Sequence, residues 1–327
     1  MKTRNITTFA AFAAASLLGV SAYAGPHTKS KPMKPVTKVM EESCITGDIG
    51  LDVVSEYIRH GIVMENQGFI IQPYADLHFR VAKNVGGIDS ITVDLGIWNS
   101  MHNHRPLARG AFGAAGASST PQWFEFDFQA GLTFNAAKFA ISPYFKIYES
   151  PSDVFQNTYA VGINLAYDDR DLLGDFALHP YVLAELQLEG TSGNNFPLGG
   201  NPTFHGRGQY YEVGITPAHS YGDLTLSLPI KGGFGSGGFY LANKGFGFVS
   251  VGIDAAYALN FVPECLGKWS VHTGVTYYRL GGNNSSLLTN TGAAGLGPAA
   301  LGSPNGFDRG LVDKNQIVFG GGLKVAF

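Results

Sequence analysis

The residues from Gln122 to Phe134 alternate without a break. Phe124, Phe126, Phe128, Ala130, Leu132 and Phe134 fall on one face, and Glu125, Asp127, Gln129, Gly131 and Thr133 on the other. Successive side chains of a β-strand point to opposite faces, so this stretch is a strand with one oily side and one wet side. Four phenylalanines on the oily side need a cover, either a protein core or a lipid bilayer. The rest of the chain decides between the two.

The same grammar recurs along the sequence. Ile45, Gly47, Ile49, Leu51, Val53 and Tyr57 oppose Thr46, Asp48, Gly50, Asp52 and Glu56 in a first strand. Ile71 to Val81 and Ile91 to Trp98 follow, the latter with Trp98 on the polar face, and Gln122 to Phe134 is the fourth. Phe139 to Ile147, Tyr159 to Tyr167, Phe176 to Leu188, Tyr210 to Pro217, Leu224 to Ile230, Phe248 to Phe261, Trp269 to Tyr277 and Ile317 to Phe327 complete a set of about twelve. Connections after the even strands are short: 82–87, 135–138, 168–175, 218–223 and 262–268. Those after the odd strands are mostly longer: 60–68, 100–121, 149–157, 190–206, 231–245 and 280–315. A soluble sandwich has no reason to sort its loops. A transmembrane antiparallel up-and-down β-barrel does, with short periplasmic turns and long extracellular loops. The expected fold is therefore all-β, and the bilayer is the expected cover.

Composition agrees. Charged residues make up only 14% of the chain, aromatics 13%, and there are 44 glycines, which excludes disorder and speaks against a helical protein. The net charge of -3 implies no polyanion-binding surface, so nucleic acid is not an expected partner. Lys2 and Arg4, an apolar run from Phe9 to Val20, and Ala22-Tyr23-Ala24 read as a signal peptide over residues 1–24. Residues 25–43, rich in Lys and Pro, read as a flexible periplasmic tail, and 44–327 as the barrel.

The last residues, GGGLKVAF, resemble the C-terminal strand of Gram-negative outer-membrane proteins, with Leu323, Val325 and the terminal Phe327 at alternate positions. That resemblance implies recognition by the barrel-assembly machinery and a place in the cell outer membrane. The segment SEYIRHGIVMENQGFIIQPYADLHF, Ser55 to Phe79, is similar to the first hairpin of TorF-type porins. It departs from that pattern at Arg59-His60-Gly61, where the family has aromatic-Arg-Gly.

On the expected lumen face lie Asp48, Asp52, Glu56, Asp76, Asp94, Glu125, Asp127, Glu185, Glu212 and Asp254, against Arg80, Lys138, Lys146, Lys231 and Lys324. Facing lipid, a Lys or Arg would cost roughly 2–4 kcal/mol near the midplane, so these groups belong inside. The acid surplus leads to an expected function as a porin-like channel for passive diffusion of small hydrophilic solutes, favouring cations. Alternatives are a closed barrel with a structural or adhesive surface role, and a lipid hydrolase. The segments 100–121 and 280–315 are long enough to fold inward and gate such a pore. Trp269, Phe261, Tyr167, Phe176 and Phe134 are expected in a periplasmic aromatic girdle, and Tyr159, Tyr148 and Phe124 in an outer one.

Other constellations are weaker. Ser270 and His272 share a strand face, with Asn260 or Asp254 as an orienting group, but the order is Ser-x-His and the pair points inward, away from lipid substrate. His219-Ser220 lies in an expected periplasmic turn. His102 and His104, beside Arg105, supply too few ligands for a metal and read as solvated loop. Gly233 to Gly238 spells G-x-G-x-x-G without a βαβ setting, in an expected extracellular loop. No enzymatic activity, cofactor or metal is expected. Cys44 and Cys265 both fall on the periplasmic side, where an oxidising compartment allows a disulfide between them.

Overall fold

The computed structural model describes residues 43–65, 68–103, 122–151, 157–189, 208–236, 239, 245–281 and 314–327. The expected signal peptide, all of the tail except Ser43, His104 and most of the two longest loops lie outside the described residues. The strands are β1 (Ile45–Val54), β2 (Tyr57–Arg59), β3 (Ile62–Glu65), β4 (Ile70–Val85), β5 (Ile88–His102), β6 (Gln122–Ala136), β7 (Phe139–Glu149) and β8 (Thr158–Tyr167). They continue with β9 (Tyr181–Glu189), β10 (Gln209–Ile215), β11 (Ala218–Tyr221), β12 (Leu224–Ser227), β13 (Ile230–Gly235), β14 (Gly245–Ala258), β15 (Lys268–Leu280) and β16 (Asn315–Ala326).

Each wall strand pairs antiparallel with its chain neighbour. β1 also pairs with β16, and β14 with β15, so the sheet closes on itself. The result is a closed barrel of twelve staves. Two staves are interrupted: β10 and β11 meet at Pro217, and β12 and β13 at Pro229. Proline cannot donate to a ladder, and here the carbonyls keep the joint, with Leu228 N bonded to Pro217 O and Gly252 N to Pro229 O. β14 pairs with both halves of the second broken stave, while β11 pairs only with β12.

Alternation is obeyed along the walls. In β1, Ile49, Leu51 and Val53 are outward and exposed, whereas Asp48, Gly50, Asp52 and Val54 are buried. An exposed apolar exterior on a sheet that closes on itself is the surface of a membrane barrel. The protein is located in the outer membrane as such a barrel.

Several boundaries differ from the sequence reading. β1 ends at Val54, and Tyr57 leaves the wall altogether. β9 begins at Tyr181 rather than Phe176, because 168–180 forms a periplasmic turn with a short helix, Arg170–Leu173. The Asp169 carboxylate knits that turn by accepting the backbone N–H groups of Leu178 and His179. Beside it, hydrogen bonds from Arg170 hold the Asp168 carboxyl below the usual range. β13 runs on to Gly235, so Gly233 belongs to the wall and not to a loop, and Lys231 faces the lumen. Lys138 is a turn residue that pairs with Asp171 at 3.2 Å, not a lumen residue.

β6 also differs at one point. Its register with β5 slips, so that Ser100 faces Glu125 but Met101 faces Trp123, leaving Phe124 as an inserted residue. Such a bulge re-aims a side chain. Phe124 turns inward and is buried, and Trp123 takes the outward place. Tyr148 likewise points inward. Neither Phe124 nor Tyr148 belongs to an outer girdle.

The remaining hairpin, β2 with β3, is not part of the wall. It leaves β1 at Val54, returns to β4 at Ile70, and every residue of both its strands is buried. A strand buried on both faces inside a barrel occupies the lumen. The first extracellular loop therefore folds inward; most of 100–121 and 280–315, the segments long enough by sequence to do so, lies outside the described residues.

Candidate functional site

The lumen has two levels. On the extracellular side the β2–β3 hairpin is packed among wall aromatics. The Tyr57 ring lies 5.5 Å from Trp98 and 6.0 Å from Phe124. The His60 ring lies 4.0 Å from Tyr210 and 5.2 Å from Phe239. His102, read from sequence as loop, ends β5 and is buried: its ring stacks on Phe124 at 4.5 Å, and Nδ1 lies 3.9 Å from Glu65 Oε2.

Polar groups fasten this packing. The Tyr57 hydroxyl donates to Glu125 Oε2 at 2.5 Å, and Arg59 Nη1 stands 3.4 Å from Glu125 Oε1. The Arg59 guanidinium also lies over the Tyr148 ring, 4.4 Å from its centroid. Lys146 Nζ is 3.1 Å from Asp127 Oδ2, one register step along β6 from Glu125. Two further carboxylates are each clasped by two phenols. Glu185 accepts from Tyr144 at 3.0 Å and Tyr148 at 2.7 Å, and Glu212 accepts from Tyr210 at 2.6 Å and from Tyr181. A carboxylate in a dry interior persists only with such donors.

Below the hairpin the lumen is wetter. Lys324 Nζ pairs with Asp48 Oδ2 at 3.3 Å, His272 Nε2 lies 3.0 Å from Asp52 Oδ1, and His78 Nδ1 lies 2.7 Å from Asp94 Oδ1. Thr133 donates to the other Asp94 oxygen at 2.6 Å. The side chains of Lys324 and His272 are 30% and 29% exposed, against 2% for Lys146 and 0% for Glu125 above. Solvent thus reaches the periplasmic half and stops at the hairpin. A cavity of about 390 Å³ runs from the wet half up to Lys231 and Tyr278 at its border with the dry half, walled also by Asp48, Asp52, Asp254, His272 and Lys324.

The walls leave room for these groups through glycine. Asp52 reaches His272 across β16, whose Gly322 lies between them in register; a Cβ there would stand 2.3 Å from Asp52 Oδ1. Asp76 similarly lies over Gly96, and Asp254 over Gly274.

Of the sequence candidates, Asp48, Asp52, Asp76, Asp94, Asp254 and Lys324 line the wet half; Glu125, Asp127, Lys146, Glu185, Glu212 and Lys231 lie in the dry half. Arg80 sits near the periplasmic rim, its Nη2 donating to the Ser43 carbonyl at 3.1 Å. Glu56 is not a stave residue; it lies in the connection between β1 and the hairpin. The orienting group of His272 is Asp52, not Asn260, which bonds Asp223 at 2.7 Å in an exposed turn. Sequence reasoning missed Tyr57, Arg59 and His60 as lumen residues. A usable signal was present: Ile58, Ile62, Val63 and Met64 are too apolar for a solvated loop. Cys44 and Cys265 are both free and exposed.

No protein-family model matches the sequence, and no curated protein matches it. Among solved structures, the chain is similar to the KdgM porin in complex with disordered oligogalacturonate, at 9% identity and a TM-score of 0.36, covering 86% of this chain and 99% of that one. The outer membrane phospholipase A from Escherichia coli gives 10% identity and a TM-score of 0.38 over 86% and 89% of the two chains. OprB of Pseudomonas putida in its high-pH structure gives 10% and 0.38 over 86% and 94%. No activity passes from any of them to this chain.

Proposed function

We propose that this protein is a porin-like channel for small hydrophilic solutes, favouring cations, whose pore is stoppered on the extracellular side by its own first loop. The observation that carries the reading is the wet, charged periplasmic half ending at a hairpin fastened to the wall by side-chain contacts such as Tyr57 and Arg59 to Glu125. A barrel with only a scaffold role needs no solvated half. Cation preference rests on the acids of that half, Asp48, Asp52, Asp76, Asp94 and Asp254, which outnumber Lys324, Arg80 near the rim and Lys231 at the top of the cavity. The resemblance of Ser55 to Phe79 to TorF-type porins falls on the stopper itself and supports the same reading. Phe327, whose backbone pairs with Gly47 at 3.0 Å in both directions, would carry the signal for the assembly machinery.

The second reading, a closed barrel with a surface role, is favoured by the complete packing above. Planar-bilayer recording separates them. With residues 57–65 replaced by a Gly-Ser linker, the channel reading expects conductance steps at least tenfold above those of the intact protein, with reversal potentials on the cation-selective side. A silent shortened barrel would establish the closed reading, and anion selectivity would remove the acidic-lumen argument. Catalysis is no part of the proposal; phospholipid hydrolysis that disappears in Ser270→Ala would overturn that.

A further inference from the structure

The charges around the wet cavity do not all cancel. Asp48 is paired with Lys324 and Asp52 with His272. Lys231 also stands on the cavity wall. Among the described residues Asp254 forms no hydrogen bond and no ion pair, although it is half-buried and its carboxylate lies over Gly274 on the cavity wall. Ser227, its register partner on β12, offers a hydroxyl beside it on the same wall.

A second group is unmatched. Tyr278, on β15, is wholly buried, lines the upper end of the cavity, and its hydroxyl has no hydrogen-bond partner among the described residues. A buried hydroxyl left unbonded is destabilising, so such a group marks a place where something else supplies the bond. The shape narrows the choice. The cavity is lined along β15 from Ser270 to Tyr278, a span of roughly 26 Å at about 3.3 Å per residue, yet holds only about 390 Å³. An extended chain can follow that wall.

We propose that this cavity binds a linear aliphatic amine, with one ammonium on Asp254 and the Ser227 hydroxyl and the upper nitrogen within reach of the Tyr278 hydroxyl. An anion would be repelled by that carboxylate, and a neutral chain would bring it no charged partner. The proposal rests on the cation-favouring channel reading and names its solute class.

The test is equilibrium binding to the full-length purified barrel in detergent at low ionic strength, by calorimetry, with spermidine as probe and tetraethylene glycol as a neutral chain of similar length. Spermidine is expected to bind at least tenfold more tightly than the glycol. Asp254→Asn is expected to lose at least tenfold in spermidine affinity and Tyr278→Phe several-fold, both with unchanged heat-modifiable migration of the barrel. Equal binding of the two chains, or wild-type affinity in Asp254→Asn, overturns the proposal. Should Asp254→Asn fail to fold, the comparison of the two probes on the unaltered protein still decides. Binding needs no conduction: spermidine affinity with a silent hairpin-deleted barrel sinks the channel and keeps the site, and conduction without binding does the reverse.

Discussion

The two halves of the lumen are built by the same staves with the same inward alternation, yet they differ in kind. In the extracellular half, Glu125, Asp127, Glu185 and Glu212 are buried and fastened by phenols, a guanidinium and an ammonium. In the periplasmic half, Asp48, Asp52 and Asp94 pair with partners that water partly reaches. Alternation decides which residues face inward; what those residues then do depends on whether a second layer covers them. Here that layer is nine residues of the first loop, 57–65.

The comparison can be broken most forcefully at Glu125. Glu125→Ala leaves the Arg59 guanidinium buried without its carboxylate, a loss of about 3–5 kcal/mol. Unfolding temperature should fall, and trypsin should cut at Arg59, which is protected in the parent. If the cut does not appear, the ion pair does not hold the stopper. Replacing both partners by apolar residues of similar size should recover much of the loss.

Tyr148→Phe removes one of the two donors to Glu185 and leaves Tyr144. The expected cost is about 1 kcal/mol, read as a shifted denaturation midpoint. A cost as large as that of Glu125→Ala would mean that the phenol clasps, rather than the hairpin contacts, hold the dry half together.

The seam between the halves carries a pH dependence. Glu56, outside the spanning staves and next to the hairpin, has its carboxyl pushed up to about 7 by burial. A raised acid favours its neutral form in the folded seat. That contribution is complete below the ordinary carboxylate range and is lost as pH rises from there through about 7. The hairpin should therefore be more protected from trypsin at pH 5 than at pH 8, by a few-fold only, since Glu56 is partly exposed. Glu56→Gln should flatten the difference, and an undiminished difference in that variant would assign it to another group.

The smallest effect belongs to the wet half. Lys324→Met breaks a partly exposed pair with Asp48 and should change stability by less than about 1 kcal/mol. Its reversal potential, measured in the hairpin-deleted barrel, should shift toward stronger cation selectivity. A large stability loss would make the wet half as structural as the dry one.

Much of this architecture is legible in the sequence, because period-two alternation and loop sorting are one-dimensional signals. The exterior of β1 and most of β6 follow from them directly. Phe124 does not, since an inserted residue preserves the spelling of alternation while reversing its sense at one position. The hairpin was hidden for a different reason: a strand buried on both faces shows no alternation, so Ile58 to Met64 reads as loop. The Asp52–His272 contact joins residues 220 apart in the chain, and only closure of β1 on β16 brings them together.

The stopper leaves the wall at Val54 and rejoins it at Ile70, and those two residues are register partners. Both its ends are therefore tied to one point of the rim. A hairpin so tethered can swing out of the lumen without being lost, and its return is an intramolecular event at an effective concentration set by a leash of a few residues. On the proposed channel reading, opening and reclosing should then be independent of how much protein the membrane holds.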